Sequence, residues 1–155
     1  MQPRLPGAEP AALPSEAVSH PLEIRGLDHV VVRVADLDRS LAFYRDALGC
    51  PEERRLDALG LVQLRAGSAL IDLVPVDSPL GRAGGGAPAP DGRNVDHFCV
   101  QLERFDEPAL RAHLERHQIE PGEVGERYGA TGNGPSMYIR DPDGNVVELK
   151  GPAAG

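Results

Sequence analysis

Residues 27–49 read LDHVVVRVADLDRSLAFYRDALG. The first eight are a β-branched run of strand length. Asp36 then stands where a helix N-cap belongs, Leu37, Leu41, Tyr44 and Leu48 fall at helical spacing, and Gly49 suits the stop. Three further strands are predicted after this pair: Glu52 to Asp57, Leu61 to Arg65, and Ala69 to Val76, the last two around a turn at Gly67-Ser68. The order recurs from residue 95, where VDHFCVQL is again a strand, followed by a helix from Asp106 with Leu110 and Leu114 on one side. Strands are then predicted at Glu123 to Tyr128, Ser136 to Arg140 and Asn145 to Lys150. The last two are joined by Asp141-Pro142-Asp143-Gly144, a composition suited to a tight hairpin turn. The chain therefore spells strand, helix, three strands, twice.

The flanking segments set the boundaries. Residues 1–24 hold Pro3, Pro6, Pro10, Pro14 and Pro21 without sustained apolar periodicity, and are expected to be a disordered Pro/Ala-rich tail. Residues 77–93 carry five glycines and three prolines in 17 positions and are expected to be a flexible linker, not an element. One domain over 25–151 remains, with module one at 25–76 and module two at 94–151.

Composition excludes several functional classes. At 155 residues with 41% hydrophobic and 26% charged, the chain has the makeup of a single globular domain, with no apolar run long enough to span a membrane. Its formal charge of -8, from 24 acidic and 16 basic residues, opposes binding to nucleic acid or an anionic membrane surface. Two cysteines, Cys50 and Cys99, make no disulfide framework, and without a charged-then-apolar leader a cytoplasmic location is expected.

Polar residues recur in register across the repeat. Strand alternation puts His29, Val31 and Arg33 opposite Val30, Val32 and Val34, and His97, Cys99 and Gln101 opposite Phe98, Val100 and Leu102. Asp72 and Glu148 likewise oppose the apolar positions of their strands. The purely apolar faces are expected under the helices, and the mixed faces lining a concave sheet surface. Two imidazoles and two carboxylates on such a surface are costly unless paired, and they form a nitrogen and oxygen donor set suited to Ni, Zn, Co, Mn or Fe. Asp28 and Asp96 lie on the opposite face and are read as turn or edge residues. His113 and His117, four apart on the second helix, are read as a solvated face. Ser136, Tyr138 and Arg140 share one face of their strand, with Arg140 read as its solvated end, and Cys99 is expected to be small and buried.

In 27–49, LIDLVP (70–75), VDHFCVQL (95–102) and SMYIRDPDGNVVELK (136–150), the sequence resembles the vicinal oxygen chelate superfamily, which holds glyoxalase, bleomycin resistance and dioxygenase proteins. The resemblance implies an α+β fold in which two βαβββ repeats curl into an incomplete barrel around a divalent metal. By position it assigns His29, Asp72, His97 and Glu148 as ligands, with Asp72 one methylene shorter than the glutamate usual in glyoxalase I. It implies a metal-dependent, glyoxalase-like lyase or isomerase acting on a small substrate with adjacent oxygens; Glu148 is read as the catalytic base, because its longer side chain can swing off a metal more readily than that of Asp72, the second candidate. Arg33, Cys99, Gln101, Ser136 and Tyr138 are then read as substrate-contacting residues, and a homodimer is expected. A metal-free antibiotic-binding protein, a dioxygenase and a fosfomycin-type thiol transferase remain alternatives within the same resemblance.

Overall fold

The computed structural model describes residues 21–22 and 24–153. Most of the expected tail lies outside the described residues. Module one contains β1 (His29–Val34), α1 (Leu37–Leu41, continued by a wider π turn at Ala42–Ala47), β2 (Glu52–Leu56), β3 (Leu61–Ala66) and β4 (Ala69–Pro75). Module two contains β5 (His97–Gln101), α3 (Glu107–Arg116), β6 (Val124–Gly129), β7 (Gly132–Arg140) and β8 (Val146–Lys150). Between them lies a four-residue helix, α2 (Pro79–Arg82). No helix among the described residues is long and apolar enough to cross a membrane.

Each module makes one four-stranded sheet, in the orders β1-β4-β3-β2 and β5-β8-β7-β6. In both, the first strand lies parallel to the last, and the register repeats: Val31 sits beside Asp72, and Cys99 beside Glu148. Each carboxylate is thus opposite the residue two positions after its module's histidine. The apolar faces meet in a core shared by both modules, including Val34, Tyr44, Leu64 and Leu73 from the first and Leu114, Met137, Ile139 and Val147 from the second.

Local sequence explains most elements. Asp36 Oδ1 accepts from the Arg39 amide at 3.0 Å, and Asp106 Oδ1 from the Ala109 amide at 3.1 Å, so both helices begin at the expected caps. The first helix departs from plain α geometry after Leu41: the Leu48 amide reaches back five residues to the Phe43 carbonyl at 2.9 Å. This turn lets Phe43, Tyr44 and Ala47 all enter the core, whereas Leu48 is only half-buried. Strand β2 is an outer strand covered by charge, with Arg55 on Glu52 and Arg65 of β3 on Glu53.

Three expectations need correction. The 77–93 linker holds a true element: Ser78 Oγ accepts from the Gly81 amide at 3.0 Å and caps α2, and Gly81 lies so close to the Pro75 carbonyl that no Cβ fits. Strand β7 begins at Gly132 instead of Ser136, because its glycines and proline mimic a loop in sequence. Gly134 is required there by the Gly151 carbonyl, 2.9 Å from where a Cβ would stand. Third, His113 is half-buried, and its Nε2 donates to the Ala47 carbonyl at 2.7 Å, tying α3 to the π turn.

The DPDG hairpin does more than reverse the chain. Asp141, 5% exposed, accepts four hydrogen bonds: from the Asp143 and Asn145 amides on Oδ1 (3.0 and 2.7 Å), and from Asn145 Nδ2 and the Tyr44 hydroxyl on Oδ2 (2.8 and 2.6 Å). Burial and the Asp141 carboxylate push the Tyr44 phenol far above its ordinary value, so it remains a donor. Tyr44→Phe should therefore lower the unfolding free energy by about 1–3 kcal/mol, because a buried carboxylate loses a hydrogen bond. Urea denaturation of both proteins reads this directly, with an unchanged midpoint as the contrary result.

Candidate metal and substrate site

Each histidine is anchored by its predecessor. Asp28 Oδ1 lies 2.7 Å from His29 Nδ1, and Asp96 Oδ2 lies 2.7 Å from His97 Nδ1. These aspartates were read from sequence as turn or edge residues only. A carboxylate on Nδ1 fixes the tautomer with its proton there and leaves Nε2 as the free donor atom, the arrangement that suits a metal-ligating imidazole. The signal was present in the paired Asp-His dipeptides, but strand alternation hides it, since it describes side-chain direction and not the reach of a carboxylate at a strand start. The Asp28 carboxylate, more than any other group, raises the His29 pKa above its ordinary value.

The structure brings the second module's pair into contact. His97 Nε2 is 3.2 Å from Glu148 Oε2, and Glu148 is 7% exposed. Tyr138, opposite Glu148 in the β7–β8 register, packs edge-on to the His97 ring at 5.2 Å between centroids. The Arg127 guanidinium lies 4.5 Å from the Tyr138 ring centroid, a cation on its π face. Cys99 is exposed as a residue, against expectation, and desolvation of its sulfur followed by the Glu148 carboxylate push its thiol up to about 11. Gln101 Nε2 donates to Thr131 Oγ1 at 3.0 Å, and Ser136 is fully buried, its Oγ accepting from Arg127 Nη1 at 2.8 Å.

The first module's pair is looser. Asp72, 4% exposed, accepts from Gln63 Nε2 at 3.0 Å on Oδ2, while Oδ1 is buried without a hydrogen-bond partner. His29 is exposed and feels the Asp72 charge without bonding to it. The two pairs lie on different sheets, and among the described residues no group of three or more His, Cys, Asp or Glu side chains gathers within one chain. One chain thus carries two separate histidine–carboxylate pairs, one on each sheet.

Arg33 was expected to contact substrate, and its guanidinium is committed to the chain itself. It donates to the Gly86 carbonyl from Nη1 at 3.0 Å, and to the Gly81 and Gly85 carbonyls from Nη2 at 2.9 and 2.6 Å.

The chain matches the Glyoxalase/Bleomycin resistance protein/Dioxygenase superfamily over residues 26–149. It belongs to that superfamily. Virulence protein STM3117 of Salmonella typhimurium is 28% identical over 129 residues, 79% of this chain and 81% of that one. Integron cassette protein VCH_CASS1 of V. cholerae shares the fold at TM-score 0.65 and 28% identity, covering 85% of this chain and 98% of that one. Lactoylglutathione lyase from Agrobacterium tumefaciens does so at TM-score 0.59 and 25% identity, covering 83% and 94%. The paired four-stranded sheets are those of this superfamily, without a closed barrel in the single chain. Its members include enzymes, bind small molecules, commonly use divalent metals and often form dimers.

Because three glycine carbonyls depend on one side chain, Arg33→Met should release the linker. Limited proteolysis should cleave within residues 82–92 several-fold faster than in the wild type. An unchanged cleavage rate would show that α2 alone holds the segment.

Proposed function

We propose that this protein is a metal-dependent enzyme of glyoxalase type, a lyase or isomerase for a small substrate with adjacent oxygens. Two copies of the chain complete its site: His29 and Asp72 of one copy and His97 and Glu148 of the other hold a divalent cation. The supporting observation is the pair of buried carboxylates. Asp72 Oδ1 has no hydrogen-bond partner, and Glu148, 7% exposed, has the His97 imidazole and the Cys99 thiol beside it and no paired cationic side chain of Lys or Arg, an arrangement whose cost a facing cation would offset. A half-site with two donors is short of the three or four protein ligands such ions take. Joining two complementary halves supplies four, which fit Ni, Zn, Co, Mn or Fe.

Bound there, the cation would polarise the paired oxygens of the substrate and favour negative charge on them. Proton movement falls to the chain's own groups. Glu148 takes the hydrogen from the carbon beside the substrate carbonyl and returns it to the neighbouring carbon, its two methylenes giving reach that Asp72 lacks. The His97 ring lies against the carboxylate on one side, and Tyr138, wedged between His97 and Arg127, supplies a stiff wall that orients the substrate. Asp28 and Asp96, each 2.7 Å from an imidazole Nδ1, favour the tautomer that carries its proton there, which leaves Nε2 able to take a cation.

Elemental analysis of protein purified without added metal should find one cation per chain, and light scattering should find a dimer at micromolar concentration. Co-expression decides which halves meet. A chain carrying His29→Ala and Asp72→Asn, paired with one carrying His97→Ala and Glu148→Gln, should regain one intact site per mixed dimer. If each chain closed its own site, no mixed dimer would bind metal. Glu148→Gln alone should keep most of the metal and lose at least about 10²-fold in turnover of 2-oxoaldehyde hemithioacetals or related substrates. A metal-free monomer that binds a drug-like ligand tightly and turns over nothing in such a panel would overturn the enzyme reading in favour of a sequestering module.

A further inference from the structure

Two residues beyond Glu148 on β8, Lys150 is 4% exposed. Its ammonium has three donors but makes one hydrogen bond, to the Gly151 carbonyl at 3.3 Å, and it belongs to none of the ion pairs among the described residues. A buried cation so poorly partnered is costly in the same way as the buried Glu148 carboxylate two residues before it. Alternation puts Lys150 on the same face as Glu148. Across the ladder its register partner is Ser136, whose Oγ accepts from Arg127 Nη1 and so keeps its own proton free to donate. The turn between β6 and β7 leans over this end of the sheet. Gly129 lies against the Lys150 stem, where a Cβ would stand 2.9 Å from Cε, and Thr131 is tied to Gln101 of β5.

We propose that Lys150, assisted by Ser136 and Arg127, is the recognition point for an anionic group, a carboxylate or a phosphoryl, on the small molecule bound by this face. The ammonium exchanges its long contact with the Gly151 carbonyl for the anion. Lys150 and Ser136 are register partners, Arg127 donates to the Ser136 hydroxyl and carbonyl, and among the described residues neither cation is in ion-pair contact with a carboxylate. Lys150 and Glu148 are about 6.6 Å apart along the strand, which sets the ligand's shape: its anionic end stands some four or five bonds from the atoms next to Glu148. This inference rests on the preceding reading of which face takes the substrate, but not on the metal.

The test uses the full-length protein, with and without EDTA treatment. Inorganic phosphate, methylphosphonate and succinate are titrated by calorimetry, with succinamide as the neutral control. Saturable binding of at least one anion is expected, and phosphate against succinate identifies which chemistry the site prefers. Lys150→Met should weaken that binding by about tenfold or more, Lys150→Arg should restore most of it, and neither should change metal content. Lys150→Gln provides a second removal variant. Without anion, the melting temperature of Lys150→Met should equal or exceed that of the wild type, since an unpaired buried charge is removed. Absence of saturable anion binding to the wild type, or equal affinity in Lys150→Met and Lys150→Gln, would overturn the proposal. Anion binding that depends on Lys150 both before and after EDTA treatment would support the proposal whatever the outcome of the metal analysis.

Discussion

The buried hydrogen bond between the Tyr44 hydroxyl and Asp141 joins residues 97 apart in sequence, and the arrangement of the two modules depends on it. Asp141 sits in the turn that aims β8, and Tyr44 sits in the π turn of the first module. Around this bond the turn gathers other remote groups. Asp143 Oδ1 accepts from the Ala35 amide at the end of β1, and Arg93 of the linker donates to Asn145 Oδ1 and the Asp143 carbonyl. Module one, the linker and module two are thereby fixed to a single five-residue loop. The Tyr44 ring also stacks on Phe98 of β5, with centroids 6.5 Å apart, so the contact is apolar on one side and charged on the other. A carboxylate buried this far would be costly alone, and its four donors offset that cost only in the assembled fold.

With the modules joined through their apolar faces, the opposite faces of both sheets are left to function. Their inner strands β4 and β8 are buried on both sides, and Asp72, Val74, Glu148 and Lys150 are as covered as the apolar residues alternating with them. Charges with that little exposure are not placed for solubility. The outer strands β1 and β5 leave their histidines accessible, and Val31, beside Asp72 in register, is 51% exposed. An exposed β-branched side chain next to a buried acid fits a surface awaiting a second copy of the chain, in agreement with the proposed pairing.

Most of the fold was legible because local rules and the global arrangement agree. The β-branched runs, the caps at Asp36 and Asp106 and the DPDG turn each mark their element without help from elsewhere, and the repeat fixes their order. What escaped the sequence is what depends on distant partners. Nothing in AFYRDA announces a π turn, which exists because Phe43, Tyr44 and Ala47 must all face a core supplied partly by the other module. The glycine-rich linker looks unstructured until Arg33 gathers its carbonyls. Candidate site residues could be placed on faces, since alternation decides that, but the partners of those residues could not. Asp28 and Asp96 became visible only through 2.7 Å contacts, and Arg33 turned out to be engaged within the chain.

The repeat also shows where two copies of one plan have diverged. In both modules a carboxylate lies beside the residue two after the histidine, yet its surroundings differ. Asp72 is short, and the Gln63 amide fixes Oδ2 while Oδ1 stays bare. A carboxylate held by one oxygen and free at the other is suited to a fixed attachment and has little freedom to carry a proton. Glu148 has the longer side chain and lies against the His97 imidazole, beside the thiol of Cys99, with the ring of Tyr138 against His97. A group that must change its protonation state during a reaction needs that freedom, because each hydrogen bond to the charged form must be broken when the proton arrives. The asymmetry between Gln63 and His97 as partners therefore supports the proposed division of roles, with Asp72 as the fixed ligand and Glu148 as the group that exchanges a proton, better than the symmetry of the repeat does.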